Sequence, residues 1–483
     1  MRNYTSFIFL FFISLFWGCK SEQSSNKVRI TVHATNGKGQ TVAVKSLDML
    51  TTEEITLAET KFDSTGNASL EFEIPNTQFA NVQIGEKPNP GLFSPSDDLD
   101  ITLDLKDLAS NPIFKGKAAE ASKYLNLSAA ISQKFDASYN ESDSINFKKR
   151  YDSLKNGYST LHKTFLDTTK ASKEICSLLE DNNKLMMLYR KQVYAIPVLL
   201  GIQKDTEYPF FVRSINKEIP FDTTFLSSKI GIYAVILQIF TYTQSEGLSK
   251  GKNSKEYEEM IEMLPILGET KIKEGNYSVE MKDFLLAKNI KYWISTFGIT
   301  ASTKKIYENL RNTSKSKEQL SSLEAVYTKY YSLTEGKPAP NITGVTREGK
   351  KVSLTDFKGK IVYVDVWATW CGPCREELPK TRMIEKKYAG NDNVVFMYVS
   401  VDEDVEAWKA LLKKDKNFKG IQINDVSNEQ HKNIEQSYLI GGIPNYILID
   451  QKGNIISSKA PRPSSGKVEA LIDQYLTKKK PIS

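Results

Sequence analysis

A β-branched apolar run, Ile361 to Val366, leads directly into Trp367-Ala368-Thr369-Trp370-Cys371-Gly372-Pro373-Cys374-Arg375-Glu376-Glu377-Leu378-Pro379, and no other stretch limits the fold so tightly. It imposes the order strand, paired cysteines, helix. A cysteine at the mouth of a helix meets unpaired backbone N–H groups and the positive end of the helix dipole, and both favour a thiolate. Cys371 is therefore the candidate nucleophile. Cys374, one helical turn on, can reach back to resolve a mixed disulfide, and it is expected to be the less exposed of the two. Gly372 and Pro373 set the turn and open the helix without wasting an N–H. A zinc site would need a second ligand pair, and the nearby histidine is His431 alone; no metal and no other cofactor is expected.

These residues resemble the thioredoxin superfamily, and most closely its TlpA/ResA-like, membrane-tethered branch. The resemblance is confined to residues 335–483. It implies a thioredoxin fold there and a thiol:disulfide oxidoreductase activity, with Cys371 attacking, Cys374 resolving, and the two forming the redox disulfide. Gly441-Gly442-Ile443-Pro444 matches the family's substrate loop. Pro444 would follow a cis peptide bond and face the sulfurs, which an X-Pro bond tolerates at small cost. Ile443, where many relatives carry Thr or Val, would offer backbone hydrogen bonds to a bound chain, and Trp370, Gly372 and Pro373 would complete the docking surface. Asp365 matches the buried acid of thioredoxins; burial near the thiols would raise its pKa and let it take a proton from Cys374. A silent, structurally hydrogen-bonded aspartate is the alternative. Glu377 matches the active-site glutamate of the ResA-like branch, against a solvated helix face such as Glu376 occupies. Pro379 is expected to kink the helix.

The Gly-Pro dipeptide between the cysteines is the thioredoxin-like choice, and thioredoxin lies near about −270 mV against about −120 mV for the oxidant DsbA. A reductase is the reading that follows. In that role the resemblance implies a membrane electron donor of DsbD or CcdA type. Exported proteins with disulfides or thiols would be the substrates, apocytochromes c among them.

Arg2 precedes an apolar run, Phe7 to Trp17, which is short for a membrane span and suits an export signal. Residues 1–18 read as a signal peptide. Leu15-Phe16-Trp17-Gly18-Cys19 resembles a bacterial lipobox with Cys19 lipidated, so residues 19–27 become a lipid anchor and tether on the periplasmic side of the cell envelope. Of four cysteines, Cys176 is then left over in a helical pattern, where a buried small hydrophobe is expected. No structural disulfide framework remains, which fits a catalyst of exchange better than a stapled scaffold. A net charge of +7 over 483 residues is mild, and apart from a Lys478 to Lys480 tail no dense basic tract interleaved with aromatics occurs. Nucleic acid is not an expected partner.

The fold class is thus multidomain. Residues 28–110 alternate with period two at Val28, Ile30 and Val32, at Val42 and Val44, at Leu70, Phe72 and Ile74, at Val82 and Ile84, and from Leu99 to Leu105. Turn chemistry at Asn36-Gly37, Asp63 to Asn67 and Pro88-Asn89-Pro90-Gly91 separates them, so a small β-sandwich is expected. It resembles the β-rich module that precedes TlpA-like domains in lipoproteins of the Bacteroidota. Residues 111–334 read as an α-helical region in which one apolar face ends at Pro197, and Ile232 to Phe240 form a buried helix. Its aromatics Tyr233, Phe240 and Tyr242 are core by spacing, with a binding groove as the alternative. His33 and His162 are isolated, so no catalytic triad can be assembled. Two other functions stay open: an envelope binding protein with a secondary thioredoxin-like domain, and a peroxidase, for which the Cys-x-x-Cys pair is the wrong signature.

Overall fold

The computed structural model describes residues 26–107, 112–136, 144–199, 215–246, 256, 259–415, 419–425 and 433–477. The expected export signal, Cys19, His431 and the Lys478–Lys480 tail lie outside them. Two compact units divide the chain, Met1–Lys45 with Thr56–Lys123 and Ser46–Ile55 with Tyr124–Ser483.

The first unit carries the strands β1 (Lys27–Thr35), β2 (Thr41–Leu47), β3 (Glu54–Lys61), β4 (Asn67–Glu73), β5 (Gln78–Ile84), β6 (Lys87–Phe93), β7 (Asp98–Asp104) and β8 (Ile113–Lys115), with burial alternating along β1, β4, β5 and β7. They form two four-stranded sheets, ordered β4-β1-β7-β8 and β3-β2-β5-β6. Val28, Ile30, Leu70 and Ile101 from one sheet and Val44 and Val82 from the other join a single apolar cluster. The expected turn at Pro88-Asn89-Pro90-Gly91 is instead the body of β6, paired with β5 from Gln78↔Phe93 to Ile84↔Lys87. Sheet position explains this: β6 is an edge strand, where a proline's missing N–H costs no ladder bond if it points outward. His33 bonds Asn67 at 2.6 Å and lies 3.4 Å from Asp100.

The division falls within helix α1 (Ala119–Asp136), and the helices that follow it in the second unit are α2 (Ser144–Thr168), α3 (Lys173–Leu199), α4 (Thr224–Ser227), α5 (Gly231–Glu246), α6 (Leu264–Glu274), α7 (Val279–Phe297), α8 (Ala301–Thr313) and α9 (Lys317–Tyr331). Pro197 does not end α3, which continues to Leu199; so near a C-terminus the lost hydrogen bond is one that fraying would weaken anyway. Cys176 is half-buried rather than core, with Sγ 3.9 Å from the carbonyl of Ala171. Tyr233, Ile236 and Leu237 on α5 are fully buried, and Phe240 is nearly so. His162 meets the Tyr124 hydroxyl at 3.3 Å. No helix among the described residues is long and apolar enough to cross a membrane.

The rest of this unit is built on β9 (Thr343–Val345), β10 (Lys351–Ser353), β11 (Ile361–Trp367), β12 (Val394–Ser400), β13 (Ile421–Asp425), β14 (Asn445–Ile449) and β15 (Ile455–Ser457). Their order in one sheet is β10-β9-β13-β12-β11-β14-β15. β11 pairs parallel to β12 and antiparallel to β14, and all seven of its residues are buried. Helices α10 (Gly372–Lys387), α11 (Val405–Lys414), α12 (Ile434–Ser437) and α13 (Val468–Thr477) complete the region. The alternation along β11 sorts its side chains: Val362, Val364 and Val366 enter one apolar cluster, while Ile361, Tyr363 and Trp367 enter the other, together with Cys371 and Cys374. With period two, Asp365 points to the cysteine side.

Candidate active site

Strand β11 ends at Trp367, and four residues later Cys371 caps α10, its Sγ accepting the backbone N–H of Cys374 at 3.2 Å. An acceptor at a helix N-cap is where a thiolate is stabilised by orphan N–H groups and the dipole. Cys371 and Cys374 are joined as a disulfide with Cα atoms 5.3 Å apart. Both are buried, Cys371 at 4% exposure and Cys374 at 2%, so the expected order holds but the margin is small. The rim is open: Gly372 and Pro373 are exposed and Trp370 is 70% exposed, an indole presented to solvent beside the sulfurs.

The loop before the cysteines is held by a residue that sequence reasoning missed. Asp402, just past β12, accepts from the Thr369 backbone N–H at 3.1 and 3.0 Å, from Thr369 Oγ1 at 2.6 Å and from Ser400 Oγ at 2.7 Å. Asn424 on β13 donates to the Asp402 carbonyl at 3.0 Å. A buried carboxylate with several donors fixes its neighbours more firmly than neutral pairs would. The only local signal was an acid two residues past a buried strand, and its partner is remote in sequence.

Asp365 is 2% exposed. One oxygen accepts from Thr381 Oγ1 at 3.2 Å, and the other has no hydrogen-bond partner among the described residues. Burial, aided by the nearby charge of Glu377 and opposed by the Thr381 hydrogen bond, pushes its pKa up to about 7. Such a carboxyl can hold or release a proton near neutrality. Its place opposite Tyr446 in the β11–β14 ladder puts two buried polar groups side by side.

Glu377 does not share the solvated face of Glu376; it is 7% exposed. Its carboxylate accepts from the Ser464 backbone N–H at 2.9 Å and from Ser464 Oγ at 2.6 Å, pinning the turn Pro463–Ser465 to α10. Pro379 lies inside α10.

The Ile443-Pro444 peptide bond is cis. Gly441 and Gly442 are exposed, and among the described residues the N–H and C=O of Ile443 enter no backbone hydrogen bond. That leaves an unpaired backbone edge of the kind on which an extended chain can add. Lys459, unremarkable in sequence, donates to the Asn445 side-chain oxygen at 3.0 Å, directly after Pro444.

Residues 334–473 match the Redoxin family. The chain is 34% identical over 134 residues to the thiol-disulfide oxidoreductase ResA of Bacillus thuringiensis subsp. konkukian, covering 28% of this chain and 73% of that protein. With ResA of Bacillus cereus it shares 35% identity over 136 residues, covering 27% and 75%. Among solved structures, the thioredoxin domain of a thiol-disulfide oxidoreductase from Bacteroides vulgatus is 34% identical, with 29% of this chain and 96% of that one covered and a TM-score of 0.26.

Proposed function

From the premise that this chain belongs to the ResA/TlpA-like thiol-disulfide oxidoreductases, we propose that it is an envelope reductase working through the Cys371-Gly372-Pro373-Cys374 dithiol. The observation that carries this reading is the Cys371–Cys374 disulfide at the N-terminus of α10, with Ile443 of the cis Ile443-Pro444 pair packed against the apolar cluster that holds both cysteines.

In the reduced enzyme the Cys371 thiolate attacks one sulfur of a client disulfide, forming a mixed disulfide and releasing the other client sulfur as a thiolate. Cys374 then loses its proton and attacks Cys371 Sγ, so the client leaves as a dithiol and the enzyme holds the Cys371–Cys374 disulfide. Two electrons pass from the enzyme pair to the client. Asp365, with its free oxygen on the cysteine face, is the group to accept the Cys374 proton. Ile443 and Pro444 shape the client backbone's path, and Trp370, Gly372 and Pro373 form the contact rim. Glu377 orients the turn at Ser464 and tunes Asp365 through its charge.

The same reading makes residues 1–18 a signal peptide, 19–27 a lipid anchor at Cys19 with its tether, 28–110 a β-sandwich module, 111–334 a helical region and 335–483 the thioredoxin-like domain. Electrons come from a membrane donor of DsbD or CcdA type, and exported proteins are the clients. Reduction of insulin by the purified chain tests it: turnover that vanishes in Cys371→Ser supports the assignment, and turnover indifferent to that change would refute it.

A further inference from the structure

The cis-proline loop forms one side of a groove of about 800 Å³ whose other side is the C-terminal end of α7, with Tyr292, Thr296 and Phe297. That size is within the range of real ligand sites. The wall is braced from behind. Tyr242 of α5 meets Tyr292 edge-on at 5.0 Å, and Trp293 stacks on Phe297 at 5.7 Å. Gly298, directly after α7, comes so near the sheet region that a Cβ there would lie 3.8 Å from Lys459 Cγ. The end of α7 and the cis-proline loop therefore line one groove.

The groove's charge is one-sided. Among the described residues Lys459, Arg462 and Lys467 line it, and no aspartate or glutamate does. Among the described residues the Lys459 ammonium bonds only the neutral Asn445 amide, and burial draws its pKa down to about 8. A half-buried ammonium whose one partner is a neutral amide is completed by a carboxylate.

We propose that this groove selects client polypeptides whose disulfide is flanked by Asp or Glu side chains, with the C-terminal end of α7 as its second wall. The inference rests on the oxidoreductase reading and names the client class of that same site. A polypeptide fits better than a small acid because the unpaired Ile443 backbone edge runs along the same groove as the cationic groups.

The test uses the full chain and three disulfide-bridged peptides that differ only in flanking residues: Asp, Asn or Lys. We expect kcat/KM for the Asp peptide to exceed that for the Lys peptide at least tenfold at low salt, mostly through KM, with the ratio shrinking at high salt. Lys459→Gln is expected to collapse the ratio, and Arg462→Gln, on a different side chain, to reduce it. Equal kcat/KM for the three peptides, with turnover still dependent on Cys371, would overturn the inference alone. Faster turnover of oxidised glutathione than of the Asp peptide would overturn it too, by making the occupant a small diacid. Absence of Cys371-dependent turnover with every substrate would remove the oxidoreductase reading and the inference together.

Discussion

At the scale of single residues, Asp365 has the most to say about pH. Its folded pKa of about 7 stands above an ordinary 3.8, so between those values the native state holds a proton that the unfolded chain has lost. Stability then falls as pH rises from about 4 to about 7 and levels off above. That gap corresponds to roughly 4 kcal/mol at most. Asp365→Asn, which cannot ionise, is expected to gain on the parent over this window by up to that amount, as urea titrations at pH 4.5 and 8 would show. Its cost is kinetic: loss of a general base typically slows a step about 10²–10⁴-fold, and the limb of the pH–rate profile near 7 should disappear. Glu377→Gln removes the charge that helps raise Asp365, so the same limb should move to lower pH. Cys374→Ser, by leaving Cys371 without a resolving thiol, should accumulate a client–enzyme mixed disulfide visible on non-reducing gels.

Elements show which local patterns could be read and which could not. Strand β11 was legible because it is buried on both faces and so reads as a continuous apolar run, and the turn into α10 carries its own cysteine, glycine and proline signals. The cis bond at Pro444 was foreseeable from family likeness, not from local chemistry. β6 was not legible, because Pro88 and Pro90 look like turn residues until the strand's place at a sheet edge is known. Asp402 was missed for a related reason: its partner Thr369 is brought alongside by the β11–β12 pairing, which no short window of sequence contains. The hydrogen bonds it accepts suggest a test of its own. Asp402→Ala would orphan the Thr369 N–H, the Thr369 hydroxyl and the Ser400 hydroxyl, at about 1–3 kcal/mol for each that stays buried and unpaired. The denaturation midpoint should fall accordingly, and Asp402→Asn, which keeps an acceptor oxygen, should lose less.

Across the whole molecule, the disulfide and the Asp365 carboxyl lie on one side of one sheet, and the period-two alternation of β11 is what gathers them; Ile443 packs against that cluster as well. Helix α5, which by spacing reads as core with a binding groove as the alternative, has Tyr233 and Phe240 in the core, while its Tyr242 packs against Tyr292 of α7. What the chain does with its electrons is set by one quantity. Equilibrating the Cys371/Cys374 couple with a defined thiol buffer, while following the fluorescence of Trp367 and Trp370 against a Cys371→Ser blank, gives its reduction potential. A value near the about −270 mV of thioredoxin is expected of a reductase, and one near the about −120 mV of DsbA would contradict it and make the protein an oxidant.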